Sequence, residues 1–305
     1  VPDAPLVAVS KRVTDTLVSA GLLEVRPMPF VGEGKGGVVR VMNPLAEDEA
    51  FLRGDLLVSL AARAEHNLRH MQGNVRLFEI GTAFFAGAET PAGPGPKKAA
   101  LPREEVHVAV LVMGQRDPTH FTDSKPAHYD EWDIKYLAEI TVESAFPGMS
   151  AELKPGAAGS LWEVRIGGEA VGSVRRVDLD APPWARPAFG LEINLSAPGQ
   201  TGPRATKYRA LPATPSAQVD LALVADGKIA AEQIGSLIRR ESGELLESLV
   251  LFDEFRGQGI PDGSRSLAWA LTFRHPERTL KDKEVQARTE KILKALEDEL
   301  GVRKR

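Results

Sequence analysis

The chain of 305 residues contains no cysteine, and this absence excludes several kinds of chemistry at once. Disulfide bonds, zinc–thiolate sites and catalytic thiols all require cysteine side chains. Nowhere do about 18 apolar residues follow one another, so the sequence predicts no membrane-spanning helix. No basic segment followed by an apolar one stands at the start, so no secretory signal is predicted either. We therefore expect a cytoplasmic protein with no membrane partner, and Val1 in place of methionine leaves open whether a longer chain precedes it.

The chain also lacks a strong excess of positive charge, which limits how it can bind nucleic acid. The net charge is −4, from 38 Lys+Arg and 42 Asp+Glu. Residues 205–305 hold 17 basic and 16 acidic side chains, which leaves 21 and 26 for residues 1–204. A domain that binds nucleic acid through a broad electrostatic field is strongly basic. We therefore expect no DNA binding, and any RNA contact must come from a local patch.

The first two-thirds of the chain alternate strand-like and helix-like patterns. Apolar residues recur at helical spacing over 6–22, 56–71 and 132–146. Strand-like segments lie between and after these helices, and we predict them at 23–30, 38–42, 75–85, 106–113, 161–166, 170–174 and 191–195. Gly167-Gly168 predicts a two-residue hairpin turn. Strands separated by helices, with hairpins among them, indicate an α+β domain built on an antiparallel sheet.

Two segments rich in glycine and proline interrupt this pattern. The segment 86–103 is predicted to be a mobile hairpin loop, because strand signal resumes directly after it. The segment 196–204 is predicted to be a linker. We therefore expect two domains, residues 1–200 and residues 205–305.

The second domain has a recognisable order of elements. A strand (219–225) and a helix (230–240) precede two strands, one reaching Phe255 and one over 266–273, which the glycine-rich turn 257–263 joins. A charged helix is predicted to open at Arg274 and to run to about Leu300, with room for a short last strand at 302–305. The order βαββαβ is that of a ferredoxin-like domain.

Specific motifs add a family resemblance to these patterns. In the second domain they are Leu-Leu-Glu-Ser with Leu-Phe-Asp-x-Phe-Arg-Gly-x-Gly-Ile-Pro over 245–261, and Thr-Phe-Arg-x-Pro-x-Arg-Thr-Leu over 272–280. In the first domain they are Asn43-Pro44-Leu45, Leu-Arg-x-x-Leu-Leu over 52–57, and Leu-Phe-Glu-Ile-Gly over 77–81. In this order the motifs resemble the C-terminal portion of the β subunits of bacterial phenylalanyl-tRNA synthetases. The resemblance covers nearly the whole chain.

The resemblance implies a fold and a function. The fold is a class II synthetase-like antiparallel sheet with flanking helices, followed by a ferredoxin-fold anticodon-binding domain. The function is that of a non-catalytic part of phenylalanine–tRNA ligase, which docks the catalytic α subunit and binds the anticodon stem of tRNA-Phe. ATP and Mg²⁺ are then expected in the partner α subunit, and no cofactor is expected in this chain.

The residues give no active site, so this chain alone is predicted to be inactive. A class II synthetase needs arginines against the ATP phosphates, because cations must stabilise the transferred group. Arg76 stands three residues before Glu79, where the class pattern separates them by two. The second arginine would end a glycine-rich run near the end of the domain, and the run over 189–195 that stands there contains no arginine. His66 and His70 lie four residues apart on a helix, but no third metal ligand is evident, and a solvated helix face is the simpler interpretation. We therefore expect neither catalytic residues nor a metal.

Five cations are the predicted tRNA contacts, and all lie at the ends of the hairpin or at the entry to the last helix, where we expect them on one rim. They are Arg256, Arg265, Arg274, Arg278 and Lys281. Arginine suits phosphate through its planar fork and bases through stacking. The alternative for each is a solvated side chain paired with Glu277, Asp282 or Glu284. Trp269 could stack on a base, but its position among apolar residues favours core packing.

The sequence also departs from the family pattern in one important place. The first strand of the ferredoxin-like domain usually opens with Arg-Arg-Asp or Arg-Asp, whereas here it is Ala217-Gln218-Val219-Asp220. The expected cations are missing, which favours an alternative function, a repurposed protein- or RNA-binding module derived from that subunit. A third hypothesis, an independent enzyme, has no coherent set of residues behind it.

Overall fold

The computed structural model describes residues 5–37, 39–87, 101–157, 159–196 and 212–305, and it divides into two compact units, Val1–Ala205 and Thr206–Arg305. Most of the predicted loop at 86–103 and of the predicted linker at 196–204 lies outside the described residues. Among the residues described, no helix has the length and apolarity needed to cross a bilayer.

The first unit is built around a seven-stranded sheet. Its elements are α1 (Pro5–Ser19), β1 (Leu23–Glu24), β2 (Phe30–Val31), β3 (Val39–Arg40), β4 (Phe51–Leu52), α2 (Leu56–Arg69), β5 (Val75–Phe85), β6 (Arg103–Met113), α3 (Glu131–Ala145), β7 (Glu152–Pro155), β8 (Trp162–Ile166), β9 (Glu169–Val177) and β10 (Ala188–Asn194). The strand order is β1-β5-β6-β10-β9-β8-β7, and every neighbouring pair is antiparallel except β1–β5. Strands β2, β4 and β3 form a separate three-stranded sheet.

Helices cover both faces of the large sheet. Alternate residues of its central strands, among them Phe78, Val110 and Leu191, pack with α1 and α3 in one core. The intervening residues, among them Leu77 and Leu111, pack with α2 in a second core. Because side chains alternate along a strand, each strand contributes to both cores. The predicted α+β antiparallel architecture is confirmed.

The helices and long strands agree with the prediction to within a few residues, but the short strands near the beginning do not. The predicted strand over 23–30, which the sequence marks as interrupted by two prolines, is split into β1 and β2, and Pro27 and Pro29 lie between them. Proline has no backbone N–H to donate, so a sheet ladder is interrupted there. The strand β7 was not predicted.

The turn between β8 and β9 is the predicted two-residue hairpin. Gly167 and Gly168 have φ of 57° and 85°, and Ile166 pairs with Glu169 across the turn. Positive φ at both central residues is typical of a type I′ turn, which glycine adopts without strain.

The second unit has the predicted ferredoxin-like order. Its elements are β11 (Ala217–Asp226), α4 (Ala231–Ser242), β12 (Leu246–Phe255), β13 (Ser264–Phe273), α5 (Asp282–Leu300) and β14 (Arg303–Lys304). The strand order is β12-β13-β11-β14, with all pairs antiparallel. The apolar face of the sheet, which includes Leu223, Trp269 and Leu271, forms one core with Ile234 and Ile292 of the two helices. The ferredoxin-like fold is confirmed, and Trp269, only 5% exposed, is the predicted core residue.

The start of the last helix was predicted wrongly. α5 begins at Asp282, and residues 274–281 form an extended and turning segment before it. Pro276 in this segment disfavours a helical conformation of the residue before it, so the charged stretch cannot simply continue as helix.

Candidate functional site

The five predicted cations fall into two groups at opposite ends of β13. Arg256 and Arg265 lie at the turn between β12 and β13, whereas Arg274, Arg278 and Lys281 follow the other end of β13. Arg265 and Arg274 are nine positions apart along the chain, which corresponds to about 30 Å of extended strand. The structure therefore corrects the expectation of a single rim.

At the turn, one carboxylate binds both arginines. Glu254 lies 2.8 Å from Arg256 Nε and 3.1 Å from Arg265 Nη1. Arg265 also donates to the backbone oxygen of Ile229 at 2.8 Å, and its side chain is only 15% exposed. Arg265 therefore links the strands to the loop before α4. Arg256, whose side chain is 63% exposed, is the more accessible of the two cations.

At the other end, two arginines are also engaged. Arg274 lies 2.9 Å from Glu247 and donates to the backbone oxygen of Thr214. Arg278 makes a bidentate pair with Glu284, at 2.7 and 2.8 Å, and hydrogen bonds from Arg278 hold the pKa of Glu284 at about 2. Glu284 also accepts from the backbone N–H of Lys281 at the start of α5. Of the three predicted carboxylate partners, Glu284 is thus found in an ion pair.

The sheet of the second unit has a second face, which α4 and α5 do not cover. Residues that alternate with the core residues lie on this face. In the middle of the two central strands they are mostly small, Ala222 and Val224 on β11 and Ser266, Ala268 and Ala270 on β13, while Gln218 and Asp220 lie on the same face toward the start of β11. A surface of small side chains is shallow, and larger groups from the edges can lie across it.

Two such groups extend over this shallow surface, and together we call them the open-face pair, Phe255 and Arg305. Phe255, at the end of β12, pairs with Ser266 and therefore points to the same face, where it is 40% exposed. The backbone N–H of Arg305 donates to Ala222, and the Arg305 guanidinium lies 5.2 Å from the Phe255 ring centroid. An exposed ring beside a cation on a shallow sheet face is an arrangement on which an unstacked nucleobase can lie.

Sequence reasoning did not find the open-face pair. A bulge between Leu251 and Asp253 shifts the register of β12 against β13, so simple alternation along β12 does not give the face of Phe255. The sequence did contain one indication of this face: small residues alternate with core residues along β11 and β13.

In the first unit, the sheet face beneath α2 contains a buried ion pair. Arg53 and Glu79 are each 3% exposed at the side chain, and they are joined by contacts of 2.9 and 2.5 Å. Arg53 also donates to the Ser59 hydroxyl at 3.0 Å. Burial raises the pKa of Glu79, and the Arg53 guanidinium limits that rise. The pair places no ionised group toward solvent, so its role is structural.

A second group of ionisable side chains lies on the same face, at the start of α2. Glu192 Oε2 accepts from the backbone N–H groups of Leu56 and Leu57, and Asp55 caps the same helix. Burial raises the pKa of Glu192 to about 7, and the neighbouring Asp55 adds to the rise. Burial also opposes the ionised form of Asp55, but its contacts with Glu192 and Arg175 outweigh that effect and lower its pKa.

His107 completes this group. Its Nδ1 lies 2.6 Å from Glu192 and its Nε2 lies 3.2 Å from Glu105. Burial alone would lower the pKa of His107, but the two carboxylates reverse the effect and raise it. The ionisable side chains on this face satisfy one another, and α2 lies over them.

Arg76 is on the opposite face of the sheet from Glu79, because three residues separate them on one strand. Its guanidinium donates to the backbone oxygen of Arg116 at 3.2 Å. An arginine and a carboxylate that both contact one substrate would have to share a face. The Arg-x-x-Glu spacing therefore does not reproduce the class II arrangement.

The two helix histidines contact each other. The rings of His66 and His70 lie 4.5 Å apart, and His70 Nδ1 is 2.8 Å from the backbone oxygen of His66. Within the described part of the chain, no group of three or more His, Asp or Glu side chains is arranged so that it could hold a metal ion.

Comparisons with known proteins match both units. Residues 2–179 match the model of the "Phenylalanyl tRNA synthetase beta chain CLM domain", and residues 212–305 match that of the "Ferredoxin-fold anticodon binding domain". Among curated relatives, the "Phenylalanine--tRNA ligase beta subunit" of Syntrophotalea carbinolica is 28% identical over 95% of this chain and 37% of its own length. The subunits of the same name from Moorella thermoacetica and Pseudomonas savastanoi pv. phaseolicola are 31% and 34% identical, over 94% and 85% of this chain and 37% and 32% of theirs. The chain thus spans about a third of the length of these relatives.

Proposed function

This chain belongs to the phenylalanyl-tRNA synthetase beta chain family, and from that premise we propose that it is a non-catalytic part of phenylalanine–tRNA ligase. In this proposal the first unit docks a catalytic α subunit, and the second unit binds the anticodon stem of tRNA-Phe. The work takes place in the cytoplasm, where tRNA is charged for translation. The open face of the second sheet, with Phe255 and Arg305, is the observation that carries the RNA-binding part.

The proposal assigns the chemistry to the partner. The substrate-binding face of a class II synthetase needs cations free to contact ATP. In the first unit the arginines on the sheet face beneath α2 are engaged, since Arg53 binds Glu79 and Arg175 binds Asp55, and Arg76 on the other face donates to the backbone oxygen of Arg116. ATP and Mg²⁺ therefore belong to the α subunit in this proposal.

Exposed apolar side chains support the docking role. Met42 and Leu45 are 94% and 93% exposed, and Leu23, at the edge of the large sheet, is 66% exposed. Single exposed apolar residues are common, but three large ones within 23 residues of sequence are a reasonable contact surface for another subunit. Met42 and Leu45 lie in the segment that follows β3, and Leu23 lies in the edge strand β1.

Light scattering of the chain, alone and mixed with a matched α subunit, tests the docking. We expect a complex that forms at micromolar concentration and that Met42→Lys with Leu45→Lys weakens by at least about tenfold, because two charges would be placed in an apolar contact. A Lys11→Gln variant, on the exposed surface of α1, serves as the matched control. Failure of the unchanged chain to associate with α would refute the docking role.

Fluorescence anisotropy with a labelled anticodon stem-loop of tRNA-Phe tests the RNA role separately. We expect affinity to fall steeply with salt, since each phosphate contact releases counterions. Affinity that does not change with salt would contradict this role.

The repurposed binding module remains a second candidate, and one observation favours it. Four of the five predicted cations, the arginines, already pair with carboxylates of their own unit. A chain that binds α but not the stem-loop would support this candidate over the first.

A further inference from the structure

A cavity of about 650 Å³ lies in the first unit, beside α2. Its apolar walls come from α2, through Val58 and Ala61, and from the segment before and within β2, through Met28, Phe30 and Val31. Its volume is within the range of small-molecule sites, about 300 to 1,000 Å³.

The nearly buried polar group in the cavity wall is a hydrogen-bond donor. Ser59 is 6% exposed, and its oxygen already accepts from Arg53. The hydroxyl proton must then point away from Arg53, and no acceptor for it is found among the described residues. Arg175, which also lines the cavity, binds Asp55 through one nitrogen and so keeps further N–H groups. Both side chains offer donors, and their natural ligand is an anionic oxygen.

Three more cations lie around the cavity, and one of them, Arg176, is paired with Glu131. Lys35 stands between Gly34 and Gly36, whose φ values of 76° and 79° are ones that glycine adopts readily, and this turn brings Lys35 into the cavity lining. Arg63 lines the cavity from α2. Within the described part of the chain, neither side chain forms an ion pair.

Three carboxylates also line the cavity, Glu49, Glu65 and Asp178, but they do not cancel the donors. Glu65 accepts from the backbone N–H of Asp180 at 3.0 Å and lies 3.9 Å from Arg69. Glu49 and Asp178 are exposed to solvent, as are the cations Lys35 and Arg63, so these four charges lie around the outer part of the cavity. The less exposed part of the lining is therefore apolar and donor-rich.

We propose that this cavity is a binding site for an amphipathic aromatic anion, a ring system of modest size that carries one carboxylate, sulfonate or phosphate. The rings lie between α2 and the Met28 and Phe30 side chains, and the anionic group accepts from Ser59 and Arg175, with Lys35 and Arg63 nearby. The site does not depend on the proposed tRNA function.

A fluorescence titration of the full chain tests the proposal with two dyes of the same shape. The anionic probe is 8-anilinonaphthalene-1-sulfonate, and the neutral probe is N-phenyl-1-naphthylamine. We expect one anionic molecule per chain and about tenfold weaker binding of the neutral dye, because charge-assisted hydrogen bonds to the sulfonate are lost. Equal binding of the two dyes, or no saturation by the anionic dye, would overturn the proposal.

Three variants locate the site. Ala62→Trp, an exposed position of α2 that lines the cavity, should fill it and abolish binding of the anionic dye. Arg63→Gln should weaken that binding about threefold or more, by loss of a nearby charge. Arg69→Gln, on the same helix but outside the lining, is the matched control and should leave it unchanged. Thermal melting verifies that each variant is folded, and anionic binding that survives Ala62→Trp in a folded chain places the dye elsewhere and refutes the site.

Discussion

Both units are built on sheets, yet the seven-stranded sheet has helices on both faces, whereas the four-stranded sheet has helices on one. On the first sheet, the face beneath α2 contains Glu79, His107 and Glu192, each engaged by a neighbouring side chain. On the second sheet, the uncovered face carries small side chains with Phe255 and Arg305 across them. Ionisable groups that satisfy one another stabilise a fold, while groups that lie open can meet a ligand.

The contrast teaches where to look for function in this chain. Polar residues in a sheet face are commonly taken as signs of an active site, since perturbed pKa values concentrate there. Here the raised pKa of Glu192 comes from burial and from Asp55, within a group that also caps α2. The raised pKa of Glu192 is therefore a consequence of how the fold packs and does not mark a binding site. The open face of the second sheet is the better candidate for binding.

The largest effect should come from breaking the buried pair of the first sheet. Arg53→Leu removes the cation that Glu79 contacts, and both side chains are 3% exposed. We expect the free energy of unfolding of the first unit to fall by about 3 to 5 kcal/mol, the usual cost of an unpaired buried charge. Chemical denaturation, monitored by a signal that comes from the first unit, measures this change in the free energy of unfolding.

The double variant Arg53→Leu with Glu79→Leu is the matched control, because it removes both charges. Replacing both members of a buried pair is often nearly neutral, so we expect it to recover much of the loss. A single variant that costs less than about 1 kcal/mol would contradict the buried-pair interpretation.

The same contrast shows what the sequence could predict. The long strand β5 was predicted at both ends, because eleven residues of strand pattern lie between clear turns, and the ferredoxin-like order followed from hairpin signals and motifs. The pair Arg53–Glu79 joins residues 26 apart in sequence and depends on how β4 and α2 meet β5. The open-face pair depends on a bulge and on an arginine at the chain's last position. Such contacts arise from tertiary packing, which local patterns do not contain.

Changing pH should affect the stability of the first unit in a defined direction. Glu192 has a pKa of about 7 in the folded chain, against 4.5 as the ordinary value, so the folded state holds a proton that the unfolded state releases. This contribution is fully present below about pH 4.5 and is lost as pH rises through about 7. His107 also has a raised pKa, so its contribution to stability is likewise lost as pH rises.

We expect unfolding free energy of the first unit to fall by on the order of 2 kcal/mol between pH 5 and pH 8. Denaturation curves across this range measure the slope. Glu192→Gln retains an oxygen to accept from Leu56 and Leu57 but cannot titrate, so its slope should be clearly smaller. Equal slopes for the two proteins would show that Glu192 does not hold the proton.

Truncating the exposed ring of the second sheet should reduce RNA binding without affecting stability. Phe255 is 40% exposed and packs little against the core, so Phe255→Ala should leave the melting temperature nearly unchanged. We expect the binding free energy for the anticodon stem-loop to weaken by about 1 to 3 kcal/mol, which is the cost of losing one base stacked on an aromatic side chain.

Phe255→Tyr is the matched control and should bind normally, because a phenol ring stacks as well as a phenyl ring. Val250→Ala, on the same face of the neighbouring segment of β12, examines general apolar contact and should have a smaller effect. If Phe255→Ala and the unchanged chain bind the stem-loop equally, the open face is not the RNA site.

The smallest effect should come from Arg278, whose bidentate pair with Glu284 lies at the surface. The two side chains are 49% and 35% exposed, so water and salt weaken their attraction. We expect Arg278→Gln to leave the unfolding free energy of the second unit nearly unchanged. If Arg278 binds RNA phosphate instead of serving only Glu284, the same variant should lower the dependence of stem-loop binding on salt by about one counterion.

Arg240→Gln, an arginine of α4 that pairs with Glu299 on α5, provides the matched control at an equally exposed surface pair. A lower salt dependence for Arg278→Gln but not for Arg240→Gln would assign Arg278 to the RNA contact. Unchanged salt dependence for both would leave Arg278 as a surface ion pair and confine RNA binding to the open face.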